Sequence, residues 1–97
     1  MIGFLTGTYL GERDNAVLID VNGVGYLVEV TSSFLAQAPQ KGEVVSLSIE
    51  TYVREDQFRL FGFFSDEERQ WFKLLMGVQG VGAKVALAVL GILSPSA

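Results

Sequence analysis

Ser65-Asp66-Glu67-Glu68-Arg69-Gln70-Trp71-Phe72-Lys73-Leu74-Leu75-Met76-Gly77-Val78-Gln79-Gly80-Val81-Gly82-Ala83-Lys84-Val85-Ala86 is the stretch that divides this chain of 97 residues into two kinds of structure. Ser65 has the side chain of an N-cap, and Glu68 stands where a capping box needs its acid. Asp66, Glu67 and Glu68 together put negative charge at the positive end of a helix dipole. The pattern predicts a helix from Asp66 to about Met76. Gly77, Gly80 and Gly82 then break it. A second helix is predicted from Ala83, with Val85, Ala86, Val89, Leu90 and Leu93 at helical spacing. Ala86 follows Gly82 by four residues, a small pair suited to close helix packing.

The turn between the helices offers backbone chemistry. Glycine admits positive φ, the conformation expected at Gly82, and lets another molecule approach the main chain. The amides near Gly80 and Gly82 lie at a helix N-terminus, where unpaired N–H groups and the dipole favour an anion. Lys84 adds a positive charge one turn in. Gly80, Val81, Gly82 and Lys84 are therefore the candidate phosphate-binding residues. A P-loop does not fit. Lys84 lies one place too far from Gly77 and Gly82, Val85 stands where a metal-binding hydroxyl is needed, and a helix precedes the glycines. The arrangement resembles the helix-hairpin-helix motif, which grips a nucleic-acid backbone without reading its sequence. The competing reading is a glycine-rich corner that only turns the chain.

Upstream the periodicity changes from helical to alternating. Met1 to Leu10 reads as a strand, with Gly3 and Gly7 allowing it to bend. Glu12-Arg13-Asp14-Asn15 reads as a polar turn. Val17, Ile19 and Val21 share one face of the next strand. Asn22-Gly23 is a strong hairpin signal, and Tyr26, Val28 and Val30 carry the return. Thr31-Ser32-Ser33 caps a short helix through Gln37, and a loop follows to Gly42. Val45, Leu47, Ile49, Thr51 and Val53 alternate with Ser46, Ser48, Glu50 and Tyr52 along a long strand. Arg54-Glu55-Asp56 is a turn, and Phe58 to Phe64 a fifth strand. The predicted fold class is thus a β barrel plus α: a five-stranded OB-fold barrel over residues 1–64, then a helix-hairpin-helix domain over 65–97. Tyr52, Phe58, Arg59 and Phe61 are candidates for stacking on bases. Their place on core-forming strands favours core or subunit contacts instead.

Composition narrows the chemistry. The chain is 49% hydrophobic, enough for a real core, and contains neither cysteine nor histidine. Disulfides, thiol catalysis, the usual zinc sites and Ser-His or Cys-His nucleophile pairs are excluded. No cofactor is predicted. Apolar runs are too short to span a bilayer and no signal peptide is evident, so a soluble cytoplasmic protein is expected. Seven basic and eleven acidic residues give a net charge of −4. Non-specific coating of DNA, which rests on many cation–phosphate contacts, does not fit that balance. Any DNA binding must use a local site. Ser94-Pro95-Ser96-Ala97 reads as the start of a further helix, which suggests a fragment of something longer.

Met1-Ile2-Gly3, Asn22-Gly23-Val24-Gly25-Tyr26, Val53-Arg54-Glu55-Asp56, Leu60-Phe61-Gly62-Phe63 and Gly80-Val81-Gly82 with Lys84 and Ala86-Leu87-Ala88 together resemble the RuvA family, in family order. The resemblance implies a non-catalytic subunit that forms a homotetramer and holds four-way junction DNA open. It implies delivery of that junction to the ATP-driven motor RuvB, with the resolvase RuvC able to act on it. Within the family Glu55 and Asp56 match the acidic pin at the centre of each tetramer face. A solvated hairpin tip is the plainer reading of the same pair. The family's second hairpin, linker and RuvB-contacting domain have no match here. A self-associating assembly module without useful DNA binding is the alternative function.

Overall fold

The computed structural model of the chain describes residues 1–13 and 16–93. Five strands come first: β1 Phe4–Arg13, β2 Ala16–Val21, β3 Val24–Val28, β4 Val44–Arg54 and β5 Gln57–Phe63. A short helix, α1 (Ser32–Ala36), separates β3 from β4, and α2 (Asp66–Met76) and α3 (Ala83–Ile92) end the order. All strand pairs are antiparallel, in the order β3-β2-β1-β4-β5. The sheet curls until its ends meet. Glu29, just past β3, donates its N–H to Leu60 O and accepts from Gly62 N–H, at 2.8 and 2.9 Å. Arg59 reinforces that seam with two hydrogen bonds to the Glu29 carboxylate, 2.8 and 2.7 Å.

Local chemistry explains most boundaries. Asn22 and Gly23 both take positive φ, +53° and +88°, as a two-residue turn between twisted strands requires. The Gly23 amide is further held by Asp20 Oδ1 at 2.8 Å. Thr31 caps α1 by accepting from Phe34 N–H at 3.0 Å, and Ser65 caps α2 by accepting from Glu68 N–H at 3.2 Å. The predicted turn at Glu12 and Arg13 is corrected. Both lie in β1, which continues through a one-residue bulge between Tyr9 and Glu12. Gly11, at φ +97°, supplies the bend there. Asp14 and Asn15, and the predicted helix start at Ser94 to Ala97, lie outside the described residues.

Two apolar clusters share β5. On one side Leu60 joins Leu5, Tyr9, Val17, Ile19, Val28, Phe34, Val45, Leu47 and Ile49 inside the curled sheet. On the other, Phe61 and Phe63 meet Phe72 of α2 and Ala83, Ala86 and Leu90 of α3. The Phe72 ring lies 4.8 and 5.2 Å from the other two, in tilted contact. The helical pair is therefore built onto the sheet through a shared strand. The buried stripe of α3 is Ala83, Ala86 and Leu90. Val85 and Leu93, predicted on the apolar face, are exposed, because α3 also meets α1 and turns Gly91 against Ser32. The β4 alternation is broken at two places: Ser48 is buried, and Val53, next to the β4–β5 hairpin tip, is exposed.

Gly7 serves close approach rather than bending alone. A Cβ there would stand 2.5 Å from the backbone oxygen of Asp20 and 2.9 Å from methyls of Ile19 and Val21. Backbone cannot give way as a flexible side chain can. Gly7→Ala is expected to destabilise the chain by about 1–3 kcal/mol, the usual cost of overpacking, read in chemical denaturation. An unchanged midpoint would show that β1 and β2 can separate freely.

The α2 cap also carries a pH signature. Burial raises the Glu68 carboxyl above its ordinary 4.5, with Ser65 pulling the other way. A raised carboxyl contributes its stability below the ordinary value and loses it as pH rises through the folded one. Asp66 is shifted oppositely, lowered from 3.8 by hydrogen bonds from Arg69 and Gln70, so its contribution is lost as pH falls through the lowered value. Glu68→Gln keeps an acceptor at the cap and removes the charge. It is expected to melt higher than wild type at neutral pH, with the difference closing in acid. A difference independent of pH would rule out the buried charge as its cause.

Candidate nucleic-acid interface

The turn between α2 and α3 is held by backbone bonds. Gly77 N–H donates to the carbonyls of Lys73 and Leu74 at 3.2 and 3.1 Å, closing α2. Val78 N–H donates to Leu75 O at 3.1 Å, and Val81 N–H to Val78 O at 3.0 Å. Gly80 makes the reversal at φ +87°. Gly82 then enters α3 as its N-cap at φ −91°, ψ 178°, accepting from Ala86 N–H at 3.0 Å. The positive φ expected at Gly82 is thus found at Gly80. The small pair Gly82 and Ala86 does not act together either: Ala86 is buried, whereas a Cβ on Gly82 would meet nothing within 4 Å. The space over Gly82 is open to solvent.

The two long helices begin in opposite electrostatic settings. The N-terminus of α2 is closed by a side-chain cap and three acidic residues. That of α3 has no side-chain cap and no acid in its first turn. The amides of Ala83, Lys84 and Val85 precede the first intrahelical donor and face the partial positive end of the dipole. Lys84, exposed beside them, adds a full positive charge where a cation weakens an isolated helix. An anion satisfies all of these groups at once. Gly80, Gly82 and Lys84 are exposed and Val81 half-buried, packed against the Phe72 cluster. Val81 therefore anchors the turn from below.

The second feature is the β4–β5 hairpin. Residues 53–58 are all exposed, so the hairpin stands clear of both clusters. Glu55 and Asp56 form its two-residue tip between the paired residues Arg54 and Gln57. Neither carboxylate has a salt bridge among the described residues. Neighbouring Arg54 turns away, its guanidinium carbon 4.1 Å from the centre of the Tyr52 ring and its Nη1 donating to Val53 O at 3.0 Å. The tip keeps its negative charge uncompensated.

The aromatic candidates separate clearly. Phe61 is fully buried and cannot stack on a base. Arg59 is held by Glu29, and Tyr52 is half-buried under Arg54. Phe58 alone is well exposed, at 61%. Among the described residues no group of three or more acidic side chains is placed to hold a metal ion, and no helix is long and apolar enough to cross a membrane.

Comparison with known proteins gives a consistent set of relatives. Residues 1–62 match the family described as RuvA N terminal domain. Over 96 residues the chain is 59% identical to the Holliday junction branch migration complex subunit RuvA of Bradyrhizobium sp. (strain ORS 278), covering 99% of this chain and 47% of that protein. The protein of the same name from Afipia carboxidovorans is 59% identical over the same shares of each chain. That from Methylobacterium radiotolerans is 54% identical over 97 residues, covering 100% of this chain and 47% of its own length. The chain spans about half the length of the curated relatives it matches.

Proposed function

This chain belongs to the RuvA family through that family's N-terminal domain, and on that premise we propose that it binds the backbone of four-way junction DNA as a non-catalytic subunit of a branch-migration complex. In this reading the curled sheet, with α1 between its third and fourth strands, is an OB-fold barrel over residues 1–64 whose role is self-association. Residues 65–97 begin the DNA-binding part, with α2, the turn and α3 as a helix-hairpin-helix. Gly80, Val81, Gly82 and Lys84 present a phosphate site, and Glu55 and Asp56 act as the acidic pin. Four copies surround the junction in the cytoplasm. The RuvB motor then drives branch migration, and RuvC can act on the same junction.

The observation that carries this reading is the uncapped, acid-free N-terminus of α3 with Lys84 in its first turn. It is a local anion site on a chain of net charge −4, which suits contact with one backbone position and not general coating of DNA. Electrophoretic shifts with a synthetic four-way junction and with linear duplex of the same length test it. The junction is expected to bind more tightly, with light scattering reporting a tetramer under the same conditions. Equal affinity for both, or no binding to either by a tetramer, would overturn the reading in favour of an assembly module.

A further inference from the structure

Of the seven lysines and arginines, Arg59 is neutralised by Glu29, and Arg69 by Glu50 and Asp66. Two of the others, Arg54 and Lys73, line a single cleft of about 390 Å³ between the outer half of β4 and the C-terminal end of α2. Glu50 is the one carboxylate on its walls, and Arg69 Nη1 holds it at 2.8 Å. Neither Arg54 nor Lys73 forms a salt bridge among the described residues. The cleft thus carries two basic side chains with no carboxylate partner among the described residues, on an acidic protein.

Its position matters as much as its charge. At one end Arg54 directly precedes the acidic tip, yet its side chain lies back over Tyr52. At the other end stands Gly77, where α2 gives way to the turn. Lys73 is in the last turn of α2, and its carbonyl accepts from Gly77 N–H. The cleft therefore spans the ground between the tip and the start of the turn. A strand repelled by Glu55 and Asp56 meets a cation one residue away, and continuing towards the turn it meets a second.

We propose that this cleft is a second backbone-binding site, which seats a DNA phosphate between Arg54 and Lys73 on the path from the acidic tip to the turn. Tyr52 is a positioning residue: its ring holds the guanidinium in the cleft and keeps it from pairing with Glu55. The site rests on the junction-binding reading above. A guanidinium and an ammonium recognise phosphate by charge and hydrogen bonding, without regard to sequence.

The test is the salt dependence of four-way junction binding by variants whose melting matches wild type. Arg54→Gln and Lys73→Gln are each expected to flatten the log–log slope by about 0.9 per lost contact per subunit. Arg54→Lys and Lys73→Arg, which keep the charge, are expected to hold the wild-type slope. Tyr52→Leu is expected to weaken binding several-fold with the slope unchanged, because it displaces a cation without removing one. Lys41→Gln serves as control, since Lys41 packs beside Gly11 in the bend of β1. If Lys84→Ala flattens the slope while Arg54→Gln and Lys73→Gln behave like Lys41→Gln, the cleft is overturned and the turn stands. If Lys84→Ala has no effect either, both fall. A flattened slope in the charge-keeping pair overturns the cleft as well.

Discussion

Gly82→Val is expected to weaken junction binding at least tenfold while leaving the chain folded. At Gly82 φ −91°, ψ 178° is extended conformation that valine adopts without strain. A Cβ at this position also meets no protein atom within 4 Å. The one structural cost is the replacement of a good N-cap residue by a poor one, about 1 kcal/mol or less. Valine's methyls would occupy the open space over the α3 amides, which is where a phosphate oxygen must come to meet them. A tenfold loss corresponds to about 1.4 kcal/mol, about one charge-assisted hydrogen bond. Gly80→Val is the contrasting variant. At φ +87° a β-branched residue is strained, so it should disturb the turn itself and lower the melting temperature. Tight junction binding by a well-folded Gly82→Val protein would remove the turn from the mechanism.

The contrast between these two glycines shows where sequence reading stopped. Local signals were legible. The strand of Val17, Ile19 and Val21 followed from alternation and Asn22-Gly23, and the helix Asp66–Met76 from the Ser65 cap and the Gly77 break. What depended on a choice between equivalent neighbouring residues, or on contacts distant in sequence, was not. Three glycines within six residues all permit positive φ, and only the hydrogen bonds of Val78 and Val81 decide that Gly80 takes it. The buried stripe of α3 departs from local periodicity at Val85 and Leu93 because nothing local says that α1 packs beside Gly91. Glu12 and Arg13 look like turn residues until Gly11 is seen to bulge the strand instead of ending it. The cleft was invisible for the same reason. Arg54 and Lys73 lie 19 positions apart, and only the docking of α2 against β4, fixed by Arg69 and Glu50, brings them to one place.

Reversing Glu55 and Asp56 to lysine is expected to change which DNA is preferred more than how tightly DNA binds. In the proposed tetramer the tips of four subunits would bring eight carboxylates to face a polyanion near one axis. Among the described residues neither acid forms a salt bridge, and Arg54 is drawn back onto Tyr52. Two unit charges at 4 Å interact by about 1 kcal/mol in bulk water and about 4 kcal/mol at an effective dielectric of 20. Continuous duplex laid across the centre would feel several such repulsions, whereas an open junction places its crossover strands around them. Glu55→Gln with Asp56→Asn should therefore raise linear-duplex affinity more than junction affinity, and the lysine pair should do so more strongly. Folding should be little affected, because residues 53–58 are exposed and the tip packs against neither apolar cluster. The effect should shrink with added salt, as the Debye length falls to about 3 Å at 1 M. The measurement is the ratio of duplex to junction Kd at low salt for wild type and both double variants, in tetramers of equal stability. A ratio that stayed constant across all three would make Glu55 and Asp56 a solvated hairpin tip and leave junction selectivity to the turns and the cleft.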